Sequence, residues 1–280
     1  MIKKLARIIH LTYKNRHSLR NVKGMRTWLR LLYKKLEREH SIASVIEALK
    51  NGWTIKLLDN DFMFEKGDIK LIQPNVGATI EDIASDYKCN YNGKTVMDIG
   101  GYMGLTAVMF VKSGAKEVIV FEPVAEHVKY IQKNIKLNRV DKKVKVVRKA
   151  VSKRDGYIII RSSTPIGTGG FGIKPGKVTY KAPSISWDTL LKEAIKKKVD
   201  IIKSDCEGCE KYLVDVDCKK IKKIKYWIIE MHGENVIENL TRKFTSCGFS
   251  KKIIRKLEKS DPKTEIAHFS LKNKQRRRKL

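Results

Sequence analysis

From Thr95 onward, the chain alternates short β-branched apolar runs with longer amphipathic segments. The apolar runs predict strands at 95–99, 117–121, 144–151, 199–204 and 226–230. The amphipathic segments predict helices at 105–112, 125–137 and 187–196. This alternation is typical of a parallel sheet built by right-handed crossovers. The pattern therefore predicts an α/β fold with a Rossmann-like, mostly parallel sheet.

An insertion at 155–181 separates the third and fourth predicted strands. It contains a strand-like run at Tyr157–Arg161 and a glycine-rich loop at 167–172. We expect this insertion to form an extra hairpin near the functional site. Insertions of this kind vary in such folds, so the insertion is a natural source of acceptor specificity.

The last part of the chain predicts a closing antiparallel hairpin. A helix is expected around 234–247, followed by apolar runs at 252–257 and 265–271. The core domain is therefore expected to span 93–272, and the basic tail 273–280 is expected to be frayed.

The first 51 residues predict a basic helical extension. Two apolar stripes flanked by Lys and Arg carry this prediction, namely Ile2, Leu5, Ile8 and Ile9, and then Trp28, Leu29, Leu32 and Leu36. Basic amphipathic helices can lie on anionic lipid. The alternative is that both helices pack on the core and leave their basic faces in solvent.

Residues 52–92 predict a hairpin and a short helix leading into the core. Apolar residues alternate over 53–58 and 68–72, with a turn at Lys66-Gly67-Asp68. After Pro74, the stretch 80–87 has the pattern of a short helix.

The charge of the chain is far from balanced. Lys and Arg number 60 against 30 Asp and Glu, a formal net charge of +30. Such a charge predicts an anionic partner, for which nucleic acid, an acidic membrane face and an anionic glycan are all suitable. The alternative is a lysine-rich proteome with no functional meaning for the charge.

The apolar pattern contains neither a membrane-spanning run nor a signal peptide, so we expect a cytoplasmic protein, with the basic N-terminus as a possible peripheral membrane contact.

The five cysteines lie scattered at Cys89, Cys206, Cys209, Cys218 and Cys247. Their odd number does not resemble a secreted disulfide framework, so reduced thiols are expected.

The strongest chemical signal is a buried strand that ends in a glycine-rich turn and opens a helix, Val96-Met97-Asp98-Ile99-Gly100-Gly101-Tyr102-Met103-Gly104. Glycines allow positive φ and close approach of a ligand to the backbone, and a helix N-terminus presents free N–H groups. A nicotinamide-dependent dehydrogenase would show G-x-G-x-x-G, whereas Tyr102 occupies the second glycine position. The match to a hydride-transfer enzyme is therefore poor.

Glu122 ends the next predicted strand, in Val118-Ile-Val-Phe-Glu122-Pro123. An acid about 20 residues beyond such a turn can accept both ribose hydroxyls of a nucleoside cofactor. The glycine turn and Glu122 together are a much stronger signal than either alone.

At these residues the chain resembles the FkbM-type methyltransferases, over roughly 95–269. The resemblance also rests on Ala150-Val151-Ser152, on Ser186-Trp187-Asp188-Thr189-Leu190-Leu191 and on Asp200-Ile-Ile-Lys-Ser-Asp-Cys-Glu-Gly-Cys-Glu210. It implies a class I methyltransferase fold that binds S-adenosyl-L-methionine.

The resemblance also implies cofactor-binding residues. Gly100, Gly101 and Gly104 would line the methionyl part, next to Tyr102, with Asp98 near the ammonium group. Glu122 would hold the ribose, Ala150 would lie near the adenine, and Asp205 would face the sulfonium. The strand-end positions agree with the general rule that open α/β sheets bind ligands at the carboxyl ends of their strands.

Methyl transfer to a hydroxyl requires alignment of donor and acceptor and removal of a proton. The candidate catalytic residues are Asp205, Glu207 and His232, with Glu210 and Glu230 as further possible bases. Lys203 is left out of the site, because it alternates with these acids along its strand. The acids and His232 could together bind a divalent ion, but no spacing demands it, and no metal is assigned.

The function expected from these features is O-methylation of a sugar hydroxyl on an anionic glycan or glycolipid. Nucleic acid is the second choice, as the ribose 2′-hydroxyl of RNA. A base-amine methyltransferase would be expected to have an Asn/Asp-Pro-Pro-aromatic segment where this chain has Asp205-Cys-Glu-Gly. A third possibility is a basic adaptor that retains the fold without catalysis.

Overall fold

The computed structural model describes residues 21–23, 27, 48–59, 61–74, 86–162, 169–170, 178–258 and 262–272. These residues fall into two compact units, one within 1–85 together with 136–139, the other within 86–135 and 140–280. Among the described residues, no helix has both the length and the apolar character needed to cross a membrane.

The first unit contains a small sheet of four strands in the order β1-β2-β3-β4. Its strands are β1 (Val22–Lys23), β2 (Thr54–Leu58), β3 (Asp61–Lys66) and β4 (Ile69–Gln73). The turn predicted at 66–68 joins β3 to β4, but 61–66 forms a strand of its own where polar connecting residues were expected. Most of the predicted N-terminal helices, and the helix predicted at 80–87, lie outside the described residues.

The second unit contains eleven described strands. They are β5 (Thr95–Ile99), β6 (Glu117–Phe121), β7 (Val144–Val147), β8 (Ala150–Ser152), β9 (Gly156–Ser162), β10 (Gly169–Gly170), β11 (Val178–Ser186), β12 (Ile201–Ser204), β13 (Tyr226–His232), β14 (Phe249–Leu257) and β15 (Thr264–Leu271). Its helices are α1 (Leu105–Lys112), α2 (Ala125–Leu137), α3 (Trp187–Lys196), α4 (Cys218–Ile221) and α5 (Glu234–Ser246).

Seven of these strands form the main sheet, in the order β7-β6-β5-β12-β13-β15-β14. The pairs from β7 to β13 are parallel, whereas β15 is antiparallel to both β13 and β14. Every residue of β5 and β12 is buried, as expected for central strands of a parallel sheet with both faces covered. The structure confirms the predicted mostly parallel sheet with its C-terminal antiparallel hairpin.

The amphipathic helices cover the sheet through aromatic packing. In α3, Ser186 caps the first turn by accepting a hydrogen bond from the Thr189 N–H. Trp187 then packs against Trp227 of β13, with ring centroids 6.2 Å apart. Phe244 of α5 contacts the Trp227 ring at 5.3 Å. These contacts fix the positions of the strand ends that carry the candidate site.

The residues predicted as a single strand at 144–151 are divided between two sheets, which corrects that expectation. The Lys149 N–H donates to the Val147 carbonyl, so the chain turns after β7. The following strand β8 pairs with β11, in a second sheet of order β10-β9-β11-β8. The antiparallel pair of β9 and β11 is the hairpin predicted for the insertion.

The cysteines also differ from the expectation of reduced thiols. Cys206 is bonded to Cys209, and Cys218 at the start of α4 is bonded to Cys247 at the end of α5. The second pair is 29 residues apart in sequence, yet its Cα atoms lie 5.2 Å apart. Only the packing of the two helices brings these residues together, so spacing alone could not reveal the pair. Cys89 is free and half-buried.

Candidate functional site

The glycine turn follows β5 at the centre of the main sheet. Gly100 has φ of 83°, which favours glycine. A Cβ atom on Gly100 would lie 1.7 Å from the carbonyl oxygen of Asp205, and one on Gly101 would lie 2.1 Å from the Val120 side chain. The glycines are therefore required by close packing of the turn against two neighbouring strand ends, in addition to any approach of a ligand.

Lys203 of β12 holds this turn through a hydrogen bond to its backbone. Its side chain is fully buried, and its ammonium donates to the Gly100 carbonyl at 2.8 Å and lies 3.1 Å from Asp98 Oδ1. Burial alone would lower the pKa of Lys203, but the charges of Asp98 and Asp205 outweigh burial and raise it. Lys203 is therefore a charged residue beneath the site, although the alternation argument had excluded it.

Asp98 lies below the turn. Its carboxylate is completely buried and also accepts a hydrogen bond from the Thr106 hydroxyl in the first turn of α1. The buried pair of Asp98 and Lys203 thus links β5, β12 and α1. Its position near a cofactor ammonium group stays a prediction.

Glu122 directly follows β6 and is almost completely buried. Its Oε2 accepts from the Tyr102 N–H at 2.9 Å, and its Oε1 accepts from the Val124 N–H at 3.0 Å. His127 Nδ1 also lies 3.0 Å from Oε1. These contacts place the carboxylate against the glycine turn, where a carboxylate oxygen with one partner can accept further hydrogen bonds.

The remaining predicted cofactor residues are distributed around this turn and the second sheet. Gly104 caps α1 with φ of 85° and packs against Ile131 of α2. Tyr102 has a positive φ of 45° and its ring meets the His127 ring edge to face at 4.8 Å. Ala150 is buried at the start of β8.

A second group of polar residues lies at the carboxyl ends of β12 and β13. Asp205 follows β12, and its N–H donates to the Ile99 carbonyl, which places it beside the glycine turn. Glu230 and His232 belong to β13. Asp205, Glu207 and His232 each offer one ligand atom, and these three atoms lie within 4.8 Å of one another. The structure therefore brings together all three predicted catalytic residues.

Two side chains orient this group. Glu210 is fully buried, and its Oε1 accepts from His232 Nδ1 at 2.9 Å. Its Oε2 accepts from the Gly208 N–H at 2.9 Å. The Tyr87 hydroxyl lies 3.1 Å from Glu230 Oε2 and 3.3 Å from Asp205 Oδ2, so it can donate to either carboxylate. Glu210 therefore fixes the ring of His232, and Tyr87 bridges the two strands.

The crowding of carboxylates changes the pKa values of this group. Burial raises the pKa of Glu230 to about 8, and the charge of Asp205 acts in the same direction. Burial would lower the pKa of His232, but the hydrogen bond to Glu210 and the charges of Glu210, Asp205 and Glu207 raise it to about 10. His232 therefore retains its proton near neutral pH, whereas Glu230 ionises around pH 8.

Lys203, Tyr87 and His127 contact the candidate site residues, but the sequence interpretation did not assign them to the site. Lys203 could have been recognised because a charged residue that follows two isoleucines in a buried strand requires a buried partner. No short-range pattern marks Tyr87, which contacts residues more than 100 positions away.

The sheet order and the site together define the class of this protein. The five parallel strands lie in the order β7-β6-β5-β12-β13, which is 3-2-1-4-5 when they are counted along the chain. The antiparallel strand β15 lies beside β13, and the glycine turn follows β5. These are the features of a class I methyltransferase. The sequence profile described as "Methyltransferase FkbM domain" matches residues 98–251, which is more than half of the chain. The chain therefore belongs to the FkbM methyltransferase family and is an S-adenosylmethionine-dependent methyltransferase.

Several solved structures are similar at low identity. A SAM-dependent methyltransferase from Agrobacterium tumefaciens is 10% identical, with 77% of this chain and 72% of that chain covered and a TM-score of 0.44. A precorrin-6y C5,15-methyltransferase from Geobacter metallireducens is 11% identical, with 69% and 90% covered and a TM-score of 0.41. These similarities are weak and specify no substrate. None of the curated proteins compared with the chain matches it significantly.

The residues around the glycine turn fit the family's cofactor. The turn lies against a carboxylate at the end of the neighbouring strand, an arrangement suited to a nucleoside with two ribose hydroxyls. Glu122 would hold the ribose, and the backbone at 100–104 would line the methionyl part. When bound, S-adenosylmethionine supplies an electrophilic methyl group, and the protein has to align the acceptor with it.

Proposed function

We propose that this enzyme methylates a hydroxyl of a sugar in an anionic glycan or glycolipid. The observation that carries the proposal is the group formed by Asp205, Glu207, Glu230 and His232 beside the glycine turn. A hydroxyl is a poor nucleophile until its proton is removed, and a concentration of carboxylates is suited to that task. A neutral amine acceptor is already nucleophilic and would have less need of a base to remove its proton.

In this proposal Glu230 is the proton acceptor. It is only partly exposed, and it lies between the Tyr87 hydroxyl and His232 Nε2, at 3.1 and 3.7 Å. Glu230 accepts the proton in its ionised form, and a pKa of about 8 makes that carboxylate a stronger base than an ordinary one. A protonated His232 cannot accept a proton, so we assign it to orienting and polarising the acceptor, together with Asp205 and Glu207.

The proposed anionic character of the acceptor rests on the charge of the chain and on one surface of the insertion. Tyr157 and Ile159 are exposed on one face of β9, and Lys181 of β11 lies over the Tyr157 ring at 5.0 Å. Arg161 is exposed on the same face, two residues beyond Ile159. An aromatic ring flanked by cations is suited to a sugar that carries or adjoins a negative charge.

A labelling experiment tests this proposal. The enzyme is incubated with methyl-labelled cofactor and separate cellular fractions of glycolipid, protein-linked glycan and RNA. We expect label in a glycan fraction, recovered after acid hydrolysis as an O-methyl sugar. Release of the label as 2′-O-methylnucleosides from RNA would establish the rival acceptor, and label recovered as a methylamine or methyl ester would overturn O-methylation altogether.

A further inference from the structure

The candidate site is rich in acidic residues, although the chain as a whole is strongly basic. Lys and Arg outnumber Asp and Glu by 60 to 30, yet Asp205, Glu207, Glu210 and Glu230 all lie around His232. Lys203 lies 3.7 Å from Asp205 but is also paired with Asp98. Four carboxylates therefore lie close together around one histidine.

The positions of the ligand atoms suit a single small cation. Nε2 of His232 lies 3.8 Å from Glu207 Oε2, too far for a direct hydrogen bond. Two ligands that bind one divalent ion at about 2.1 Å each can lie no more than about 4.2 Å apart. The Nε2 and Oε2 atoms satisfy this limit. One ligand atom from each of Asp205, Glu207 and His232 lies within 4.8 Å of the others, so the proposed site requires Asp205 to rotate toward the ion.

A separate observation concerns how His232 is held. Its side chain is more than nine-tenths buried, and Nε2 points to the carboxylates, since Nδ1 donates to Glu210. A metal-binding histidine typically donates its other ring N–H to a carboxylate, which fixes the ring and increases its basicity as a ligand. Glu210 is fully buried, and its two oxygens accept from His232 and from the Gly208 N–H, so its role fits that of a carboxylate that orients the ligand.

We propose that Asp205, Glu207 and His232 bind one divalent cation, oriented by Glu210. His232 releases its Nε2 proton when the cation binds, because a metal-binding imidazole must be neutral. The mixture of two carboxylates and one imidazole favours Mn²⁺ or a similar first-row ion over Ca²⁺, which prefers oxygen ligands alone. The proposal rests on the proposed function in one respect, namely that the acceptor is a hydroxyl whose oxygen can join the same ion.

This site would also complete the chemistry of methyl transfer. An acceptor oxygen on the cation loses its proton more easily, and Glu230, 3.7 Å from His232 Nε2, takes that proton. The oxygen forms a bond to the methyl carbon while the carbon–sulfur bond breaks, and the sulfur keeps the electron pair. Cys206 and Cys209 do not compete for the cation, because their sulfur atoms are bonded to each other.

The test measures Mn²⁺ binding to the full-length protein after chelator treatment and gel filtration, without reductant. Titration is followed by the EPR signal of free Mn²⁺, which decreases on binding. We expect one ion per chain, with affinity at least tenfold weaker in Glu207→Gln. The second-sphere variant Glu210→Gln should lose about 10- to 100-fold. Glu234→Gln is the matched control, because it removes the same charge from an exposed residue next to the strand.

The outcomes separate this proposal from the proposed function. Binding that is absent in the wild type, or equally strong in Glu207→Gln and wild type, overturns the cation site. Transfer to a hydroxyl by metal-free protein that also fails to bind Mn²⁺ would overturn the cation site alone. Binding of one Mn²⁺ that depends on Glu207 supports the site, even if the labelled acceptor is not a sugar.

Discussion

The two halves of the candidate site differ in how their charges are compensated. On the cofactor side, Asp98 is paired with Lys203, and Glu122 accepts hydrogen bonds from two backbone N–H groups. On the acceptor side, three carboxylates lie near His232, with Glu207 at 3.8 Å, Glu210 at 2.9 Å and Glu230 at 3.7 Å from its ring nitrogens. The acids of the first half are held by partners within the protein, whereas in our proposal those of the second take a cation.

This difference indicates that the cofactor side of the site is the rigid half and that the acceptor side is the reactive half. The buried ion pair and the hydrogen bonds of Glu122 hold the glycine turn in one conformation, which suits a cofactor with a constant shape. A group of crowded, partly buried carboxylates has shifted pKa values, which suits proton transfer from an acceptor. Substitutions on the cofactor side should therefore affect stability and cofactor affinity, and substitutions on the acceptor side should affect turnover.

The largest effect is expected for Glu230→Gln. Removing a general base lowers turnover by about 100- to 10,000-fold, while the amide keeps the size of the side chain. Cofactor affinity, measured by calorimetry, should not change. Glu238→Gln, an exposed acid on α5, is the control and should turn over normally. Normal turnover in Glu230→Gln would show that another residue of the group accepts the proton.

Lys203→Met is expected to have the next largest effect, on stability. It leaves the Asp98 carboxylate buried without its cation, which typically costs about 3 to 5 kcal/mol. Lys94→Met removes the exposed ion pair with Asp200 and should cost at most about 1 kcal/mol. Urea denaturation measures both. Similar losses for the two variants would show that the Asp98 pair does not support the turn.

The core fold could be predicted from the sequence because its signals are local. The bounds of β5, β6, α1, α2 and α3 agree with the predicted ones. The spacing of apolar residues along the sequence changes at the ends of each of these elements. The strand predicted at 144–151 failed because both β7 and β8 are apolar, and only a turn at Lys149 divides them between two sheets.

The chemical groups were predictable where they follow strand ends. Asp205 and His232 meet because the carboxyl ends of adjacent parallel strands lie at one edge of the sheet. Lys203 was missed because alternation along a strand says which face a side chain takes, while its long chain can still reach Gly100 from that face. The pairing of Cys218 with Cys247 depends on helix packing, which no sequence period encodes.

Glu122→Ala should have a moderate effect that is confined to the cofactor. Removal of a charged acceptor from the ribose should weaken S-adenosylmethionine binding by about 1.5 to 3 kcal/mol, measured by calorimetry. Turnover at saturating cofactor should change less than in Glu230→Gln. The exposed neighbour Glu126→Ala serves as the control, and equal affinity in Glu122→Ala and Glu126→Ala would contradict the assigned ribose contact.

The smallest effect is expected for His127→Gln. His127 is buried, and Nδ1 lies 3.0 Å from Glu122 Oε1, so the ring helps to orient the carboxylate; its contact with the turn is the edge-to-face packing on the Tyr102 ring. Loss of one such hydrogen bond should weaken cofactor binding by about 0.5 to 1.5 kcal/mol. Because the effect passes through Glu122, it should disappear when His127→Gln is combined with Glu122→Ala, as a double-mutant cycle would show. Additive losses would mean that His127 contributes independently of Glu122, and the cofactor side would then depend less on oriented carboxylates than the structure suggests.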